Sequence, residues 1–153
     1  LRDYIDQLYR KLHQRSQLLL ENEHDLTREI SFFKNQMIDK WNDMKVIEYR
    51  LPDIDNDEYR VGESYEGTIK IDLNGIPARN LGVEMVIRRI EENKSDLIFE
   101  VEELKCTKDE GENAEYTFLN KTMHAGPFDI GFRVFPKMEH LPHRMDLPLV
   151  KWI

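Results

Sequence analysis

The sequence predicts an α+β chain in which an antiparallel helical hairpin precedes an immunoglobulin-like antiparallel β-sandwich of about seven strands. Two observations predict it. Up to residue 44, apolar residues recur every three to four positions, as in amphipathic helices. Beyond residue 44 the period changes to two and turn residues interrupt the chain at short intervals, as in strands. We therefore expect a hairpin domain at residues 1–44 and a sandwich domain at residues 45–153.

Two helices form the predicted hairpin. The first is expected over residues 1–21, on an apolar stripe formed by Leu1, Ile5, Leu8, Leu12 and Leu19. The second is expected to about residue 43, with Asp25 as its N-cap, on a stripe formed by Leu26, Ile30, Phe33, Met37 and Trp41. The short polar break between them predicts antiparallel packing. Apolar residues off these stripes, such as Phe32 and Ile38, need another partner.

Seven strands are expected after the hairpin. They are predicted at residues 45–51, 65–73, 82–90, 97–106, 114–123, 127–135 and 147–153. No separator is long enough to hold a crossover helix, so the strands should pair antiparallel. Asn74-Gly75 predicts a tight turn, because this dipeptide adopts left-handed backbone conformations at little cost. The cysteine pair of antibody domains is absent, so the sandwich is expected to be immunoglobulin-like only.

Composition and charge exclude several classes of function. A net charge of −8 without a basic stripe argues against a nucleic-acid partner, since such proteins gain affinity from clustered Lys and Arg. The single cysteine, Cys106, cannot form an intramolecular disulfide, which favours a cytoplasmic location. No apolar run approaches the ~20 residues that cross a membrane. Because Leu1 already lies within a helical pattern, we expect this chain to be part of a longer protein.

No combination of residues predicts catalysis, a cofactor site or a metal site in this chain. His140 and His143, flanked by Glu139 and Asp146, match no zinc-site spacing and are interpreted as loop residues. Cys106 lies in a strand pattern and is interpreted as a small buried apolar residue rather than a nucleophile. The glycines are dispersed, so no phosphate-binding loop is predicted.

The aromatic residues have two interpretations. A sugar-stacking platform would use side chains such as Tyr49, Tyr59, Tyr65, Tyr116 and Trp152. Core packing would use Phe99, Phe118, Phe128, Phe132 and Trp152, which alternate with polar neighbours. We favour the core, because large aromatic residues tend to be buried. Two or more exposed aromatic rings on one sheet face or loop rim would favour the platform.

The end of the sequence resembles the C-terminal end of bacterial α-glucan phosphorylases. The most specific block is Leu-Pro-His-Arg-Met-Asp at residues 141–146, followed by Leu-Val-Lys-Trp at 149–152. Near the start, Tyr4, Leu8, Tyr9, Arg15-Ser16, Phe33-Lys34, Met37 and Trp41 are similar to the final helices after the catalytic domain of that family. The resemblance is weaker between about residues 50 and 125. The residues that match the family's end block are Phe132, Arg133, Pro136, Leu141, Pro142, His143, Arg144, Asp146 and Trp152.

The resemblance implies a parent enzyme with two Rossmann-type lobes that uses pyridoxal phosphate and inorganic phosphate to release glucose 1-phosphate from α-1,4-glucan. It implies no catalytic or cofactor-binding residue in this chain, because no lysine here lies in the family's pyridoxal-binding motif. We expect the end block to be structural. Arg133 and Arg144 can form bidentate pairs with carboxylates such as Asp146, which would fix the last strand or dock the chain.

Three functions stay open at this point. The first is a non-catalytic accessory module of an α-glucan phosphorylase, whose partners are the upstream catalytic lobes of the same chain. The second is a glycan-binding sandwich, with α-glucan as partner. The third is an interaction or oligomerisation domain that uses the apolar helix faces. We favour the first because a foldable β pattern without a catalytic constellation adjoins the resembling end block.

Overall fold

The computed structural model describes residues 25–52, 62, 64–89, 97–121, 128–141 and 143–153, and the single positions 10, 13, 16 and 17. The chain divides into two compact units, Leu1–Asp39 and Lys40–Ile153. The part of the chain described contains no helix that is both long and apolar enough to cross a membrane. The predicted first helix lies largely outside these residues, although the four single positions have helical backbone.

Helix α1 begins at Asp25 and ends at Lys40, so all but its last residue belong to the first unit. Phe33 and Met37 of the predicted stripe are buried. Phe32 and Ile38, which lie off the stripe, are exposed. An acidic residue in the first turn and a basic residue in the last turn complement the helix dipole.

Among the described residues, eight strands form two antiparallel sheets in the second unit. They are β1 (Lys45–Arg50), β2 (Ser64–Asp72), β3 (Leu81–Arg89), β4 (Leu97–Glu103), β5 (Lys105–Asp109), β6 (Asn113–Lys121), β7 (Phe128–Pro136) and β8 (Lys151–Trp152). Sheet A has the order β1-β2-β6-β5 and sheet B the order β4-β3-β7-β8. Every pairing is antiparallel, which confirms the prediction.

The predicted single strand at residues 97–106 is wrong. It is two strands, because the chain passes from sheet B to sheet A at Leu104. Leu104 is buried, and its amide donates to the Val83 carbonyl at 2.8 Å. No turn residue marks this crossing, so the alternating pattern continues through it. The predicted final strand is also shorter than expected, since only Lys151–Trp152 pair with β7.

The buried faces of the two sheets meet in an apolar core, an arrangement that fits a sandwich. Ile69 and Ile71 of β2 are buried in sheet A, as the alternation predicts. Phe118 of β6 and Phe132 of β7 bring their ring centroids to 5.5 Å across the two sheets. The predicted Asn74-Gly75 turn is confirmed, with positive φ angles of 47° and 71° at its two residues.

The beginning of the second unit is fastened to its other end. The 3₁₀ turn Trp41–Asp43 precedes β1. Lys151 of β8 donates from Nζ to the carbonyl oxygens of Asn42 and Met44, at 2.9 and 2.7 Å. The Asn74 side chain donates to the Lys40 carbonyl at 3.1 Å. The C-terminal strand therefore holds the segment through which the chain enters this unit.

Candidate functional site

One carboxylate, Glu84, is buried in sheet B with 5% of its surface exposed. It lies in β3, where every residue from Leu81 to Ile87 is buried. Val83 and Met85 lie in the core, and successive strand residues point to opposite faces, so Glu84 belongs to the other, outer face of sheet B. A carboxylate removed from water needs hydrogen-bonded cationic partners, because burying an isolated charge is costly.

Two arginines satisfy Glu84. Arg133 is paired with it across β3 and β7 and donates from Nε to Oε2 at 2.9 Å. Arg144, in the 3₁₀ turn Arg144–Asp146, donates from Nη2 to Oε1 at 2.7 Å. Each carboxylate oxygen thus accepts one charge-assisted hydrogen bond, which is stronger than a neutral one. The carboxylate joins a central strand to the segment near the end of the chain.

The same arginines contact aromatic rings. The Arg144 guanidinium carbon lies 3.5 Å from the centroid of the Phe135 ring, and that of Arg133 lies 5.7 Å from the centroid of the Trp152 ring. The Phe135 ring also lies against Gly82, where an added Cβ would be only 2.1 Å from Cζ of the ring. We call Glu84, Arg133, Arg144 and Phe135 the Glu84 cluster.

The turn that carries Arg144 has its own cap. His143 accepts from the backbone amide of Met145 at Nδ1, at 3.1 Å, and its carbonyl accepts from the Asp146 amide at 3.0 Å. Both arginines pair with a carboxylate, as expected, but that carboxylate is Glu84 and not the suggested Asp146. The sequence separation of 60 residues between Glu84 and Arg144 explains why local spacing missed this pair.

The segment after β7 lies against the outer face of sheet B. The Lys137 amide donates to the Asn80 carbonyl at 2.8 Å, and its ammonium group binds Glu103 of β4. A cavity of about 260 Å³ lies here. Its lining consists of Glu84, Glu103, Phe135, Pro136, Lys137, Met138, Leu141, His143 and Arg144.

The model of one protein family, described as the glycogen phosphorylase C-terminal domain, matches residues 41–153. The chain belongs to this family. The match begins at Trp41, the first residue of the turn that Lys151 holds, and extends to the last residue of the chain. The resemblance seen in the sequence is thereby confirmed.

No curated protein matches the chain. The crystal structure of Spo0M, a sporulation control protein from Bacillus subtilis, is similar over 61% of this chain at 15% identity, with a TM-score of 0.36. The chain covers 42% of that structure's length.

Among the family's end-block residues, Phe132, Arg133 and Arg144 have defined roles. Phe132 is part of the core between the sheets, where it contacts Phe118. Arg133 and Arg144 hold Glu84. In this glycogen phosphorylase C-terminal domain, the two end-block arginines are therefore engaged by the fold itself.

The remaining end-block residues surround this pair. Pro136 ends β7 and lines the cavity, together with Leu141 and His143. Asp146 is exposed, and Pro142 lies outside the described residues. The described part of the chain contains no group of three or more His, Cys, Asp or Glu side chains close enough to bind a metal ion.

The thiol of Cys106 is exposed on β5, so the prediction that it is buried is wrong. Cys106 is paired with the buried Tyr116, but β5 is an edge strand and leaves this position open to solvent. Desolvation of the Sγ atom, together with the nearby Asp109 carboxylate, raises the pKa of the thiol. A raised pKa disfavours the thiolate that nucleophilic catalysis requires.

The exposed aromatic residues of the second unit lie on different surfaces. Trp152 is 59% exposed, so the prediction that it lies in the core is wrong. Its ring lies over Gly131 on the outer face of sheet B. Tyr49 is also exposed, but it lies on β1, an edge strand of sheet A. Among the residues described, no sheet face therefore presents the two exposed rings that a sugar platform would need.

The sequence did not predict that Glu84, Phe135 and Lys151 hold distant segments of the fold together. One signal could have revealed Glu84, since it is the only charged residue in the apolar run from Leu81 to Ile87. A charge in a strand that is otherwise apolar on both faces predicts a buried pair. No local pattern identifies Phe135 or Lys151, because their partners are distant in sequence.

Proposed function

We propose that this chain is a non-catalytic accessory module of an α-glucan phosphorylase, attached to the catalytic lobes of the same protein. The family match over residues 41–153 carries this proposal, because that family is defined by the C-terminal domain of a glycogen phosphorylase. The Glu84 cluster supports a structural use of the end block, since both arginines are occupied by a carboxylate and a ring.

The proposal includes the finer architecture expected from the sequence. Residues 1–44 form a helical hairpin at the end of the catalytic region, and residues 45–153 form an immunoglobulin-like accessory domain. Pyridoxal phosphate belongs to the parent enzyme, with no cofactor in this chain, and the enzyme is cytoplasmic. The single cysteine and the end-block resemblance support these expectations.

We propose that the catalytic part of the parent protein docks against the exposed outer side of sheet B around Trp152. Trp152 and Val150 are both largely exposed, and they are two residues apart in an extended segment that ends in β8. Large exposed apolar side chains close together are typical of interfaces. Phe32 and Ile38 on α1 give the first unit an exposed apolar surface as well, which supports docking or self-association there.

Two measurements test the accessory role. The 153-residue chain should release no glucose 1-phosphate from α-glucan and phosphate, and turnover by this chain would overturn the proposal. Light scattering of the same chain tests self-association through α1. A monomer at micromolar concentration favours docking to the catalytic lobes over an oligomerisation domain.

The docking surface is tested in the full-length enzyme with Trp152→Ser. Leu119→Ser is the matched control, because Leu119 is 66% exposed on sheet A. We expect Trp152→Ser to lower the melting temperature of the full-length enzyme more than that of the 153-residue chain, and Leu119→Ser to affect both equally. Equal behaviour of the two variants would contradict docking at Trp152.

A further inference from the structure

We propose that two copies of this chain pair through strand β1, antiparallel to each other and related by a two-fold axis at Tyr49. The inference goes beyond the accessory role, because it concerns contact between two copies and not attachment to the catalytic lobes. It depends on β1 and the strands around it, all within the second unit. The sheets have four edge strands, β1 and β5 in sheet A and β4 and β8 in sheet B, and their inward sides differ.

In the described part of the chain, three of these four edges carry features that discourage pairing with another chain. On β4, Glu102 is paired with the buried Met85, so its carboxylate belongs to the inward side of the edge. On β5, Asp109 is paired with the buried Ala114 in the same way. Strand β8 has two residues. Inward-pointing charges and very short strands are ways in which proteins protect the edges of their sheets.

The inward side of β1 is apolar instead. Tyr49 is paired with Ile69, which lies in the core, so the Tyr49 ring belongs to the same inward side of sheet A. Tyr49 is nevertheless 46% exposed, because β1 is the outermost described strand of its sheet. Ile47 and Leu51, two residues away on either side, are exposed as well. An apolar edge of this kind is a template on which another strand can pair.

The sequence of β1 is complementary to itself in the antiparallel direction. With the two-fold axis at Tyr49, Glu48 of each copy lies opposite Arg50 of the other, and the two Tyr49 rings face each other. Within one copy, Arg50 donates from Nε and Nη2 to the two carboxylate oxygens of Glu48, at 2.8 and 2.9 Å. Both side chains are well exposed and can therefore reach a second copy. Opposite charges and facing aromatic rings each stabilise antiparallel pairs.

The same charges select this register over its neighbours. A shift by one residue would place inward residues of one copy opposite outward residues of the other. A shift by two residues places Glu48 opposite Glu48, or Arg50 opposite Arg50, depending on its direction. Like charges directly opposite each other destabilise a strand pair. A second copy centred on Tyr49 is therefore the occupant that the charges of this edge fit.

The contact is short, so we expect a weak dimer. The irregular pairing between Val46 and Glu48 and the proline at position 52 confine the new ladder to residues 47–51. Each copy also has a net charge of −8, which opposes association. We expect a dissociation constant of roughly 100 µM at about 0.15 M salt. The chain is then monomeric at micromolar concentration.

Sedimentation equilibrium of the 153-residue chain, from roughly 10 µM to 1 mM, tests the pairing. We expect monomers at the lowest concentration and a reversible dimer at the highest. Tyr49→Lys puts a charge on the inward side of the edge, as Asp109 does on β5, and should weaken the dimer by roughly tenfold or more. Leu119→Ser is the matched control, because Leu119 is an exposed apolar residue on the inner strand β6 of sheet A, and should leave the dimer unchanged.

Exchange of the two charges tests the register. Glu48→Arg and Arg50→Glu each place like charges opposite each other, so each variant alone should dimerise more weakly than the unmodified chain. An equimolar mixture of the two variants restores opposite charges at both positions and should form heterodimers. The double variant, Glu48→Arg with Arg50→Glu, keeps the complementarity and should dimerise like the unmodified chain.

Three results would overturn the proposal. The first is a chain that stays monomeric at the highest concentration. The second is a dimer that is lost in Phe32→Ser but kept in Tyr49→Lys, which would assign self-association to α1. The third is a mixture of the two charge variants that associates no better than either variant alone. Melting temperatures confirm that each variant is folded, so a weaker dimer cannot be attributed to unfolding.

Discussion

The charged side chains on the outer faces of the two sheets differ in how far they are exposed to solvent. On sheet A, ion pairs such as Arg50–Glu48 lie in solvent, and Thr68 and Thr117 are hydrogen-bonded across β2 and β6. On sheet B, the outer-face residues Gly82, Glu84 and Val86 of β3 are buried, and the Glu84 carboxylate is enclosed by two arginines. Similar residue types therefore form a solvated surface on one sheet and a desolvated cluster on the other.

This difference determines which ion pairs matter for stability. An exposed pair gains little, because water solvates both groups when they separate. A buried carboxylate has no such alternative, so losing its partners leaves a charge without compensation. The end block of the family thus contributes through Glu84, by holding the segment around Arg144 against sheet B.

The largest expected effect comes from removing both partners of Glu84. Arg133→Met combined with Arg144→Met should lower the free energy of unfolding by about 3 kcal/mol, because a buried carboxylate is left unpaired. Urea unfolding of the 153-residue chain measures this loss. The matched change on sheet A, Arg50→Met, should cost much less, because its partner Glu48 is exposed and stays solvated.

A further replacement sharpens this test. Adding Glu84→Leu to the double variant removes the last charge of the cluster, and apolar replacement of a whole buried ion cluster is often neutral. We therefore expect Glu84→Leu to recover most of the stability lost in the double variant. No recovery would mean that the arginines stabilise the fold through their contacts with Phe135 and Trp152 instead.

A second, intermediate effect is expected at Gly82, within the covered part of sheet B. Gly82→Ala places a Cβ against the Phe135 ring, which is held by Arg144, so we expect a loss of about 1–3 kcal/mol from overpacking. Gly131→Ala is the control, since its Cβ would be 3.1 Å from the exposed Trp152 ring, which can move aside. Thermal unfolding of both variants measures the two losses of stability. Equal losses would mean that the Phe135 ring over Gly82 moves aside as easily as the Trp152 ring over Gly131.

The smallest effect is expected on the solvated side of the molecule, at Glu110. Hydrogen bonds from Lys108 and Lys70 lower the pKa of this carboxyl from 4.5 to about 2. The ionised form therefore stabilises the fold above pH 4.5, and this contribution is lost as the pH falls towards 2.

Glu110→Gln measures that contribution. The difference in melting temperature between the variant and the unmodified chain should be constant above pH 4.5 and disappear near pH 2. Added salt should reduce it, because the carboxylate and both lysines are reached by solvent. A difference that persists unchanged at pH 2 would contradict an electrostatic origin.

The sequence predicts the elements of this fold better than their environment. Alternation identified β2 and its turn at Asn74-Gly75, and the separators identified antiparallel pairing. The same alternation failed for Cys106 and Trp152, which lie on strands at the edges of the two sheets. A period of two reports which face a residue shares with its neighbours, but not whether a further strand covers it.

At the candidate site, too, the sequence identified some residues but not the partners that they contact. Its residues were identified from the sequence by family resemblance, including both arginines. Their partner Glu84 was not, because it lies 49 and 60 residues away and nothing in the local spacing connects them. The cavity beside the Glu84 cluster likewise depends on β3, β4 and the segment after β7 meeting in space.

The sequence alone determined the change from helix to strand near residue 44, the antiparallel order and membership of the glycogen phosphorylase C-terminal domain family, because periodicity, turn residues and end-block residues are local properties. Only the tertiary structure decided where the chain crosses between sheets at Leu104, and that Glu84 is buried between two arginines. Burial and ion pairing depend on strands that are distant in sequence, and packing alone brings these strands together.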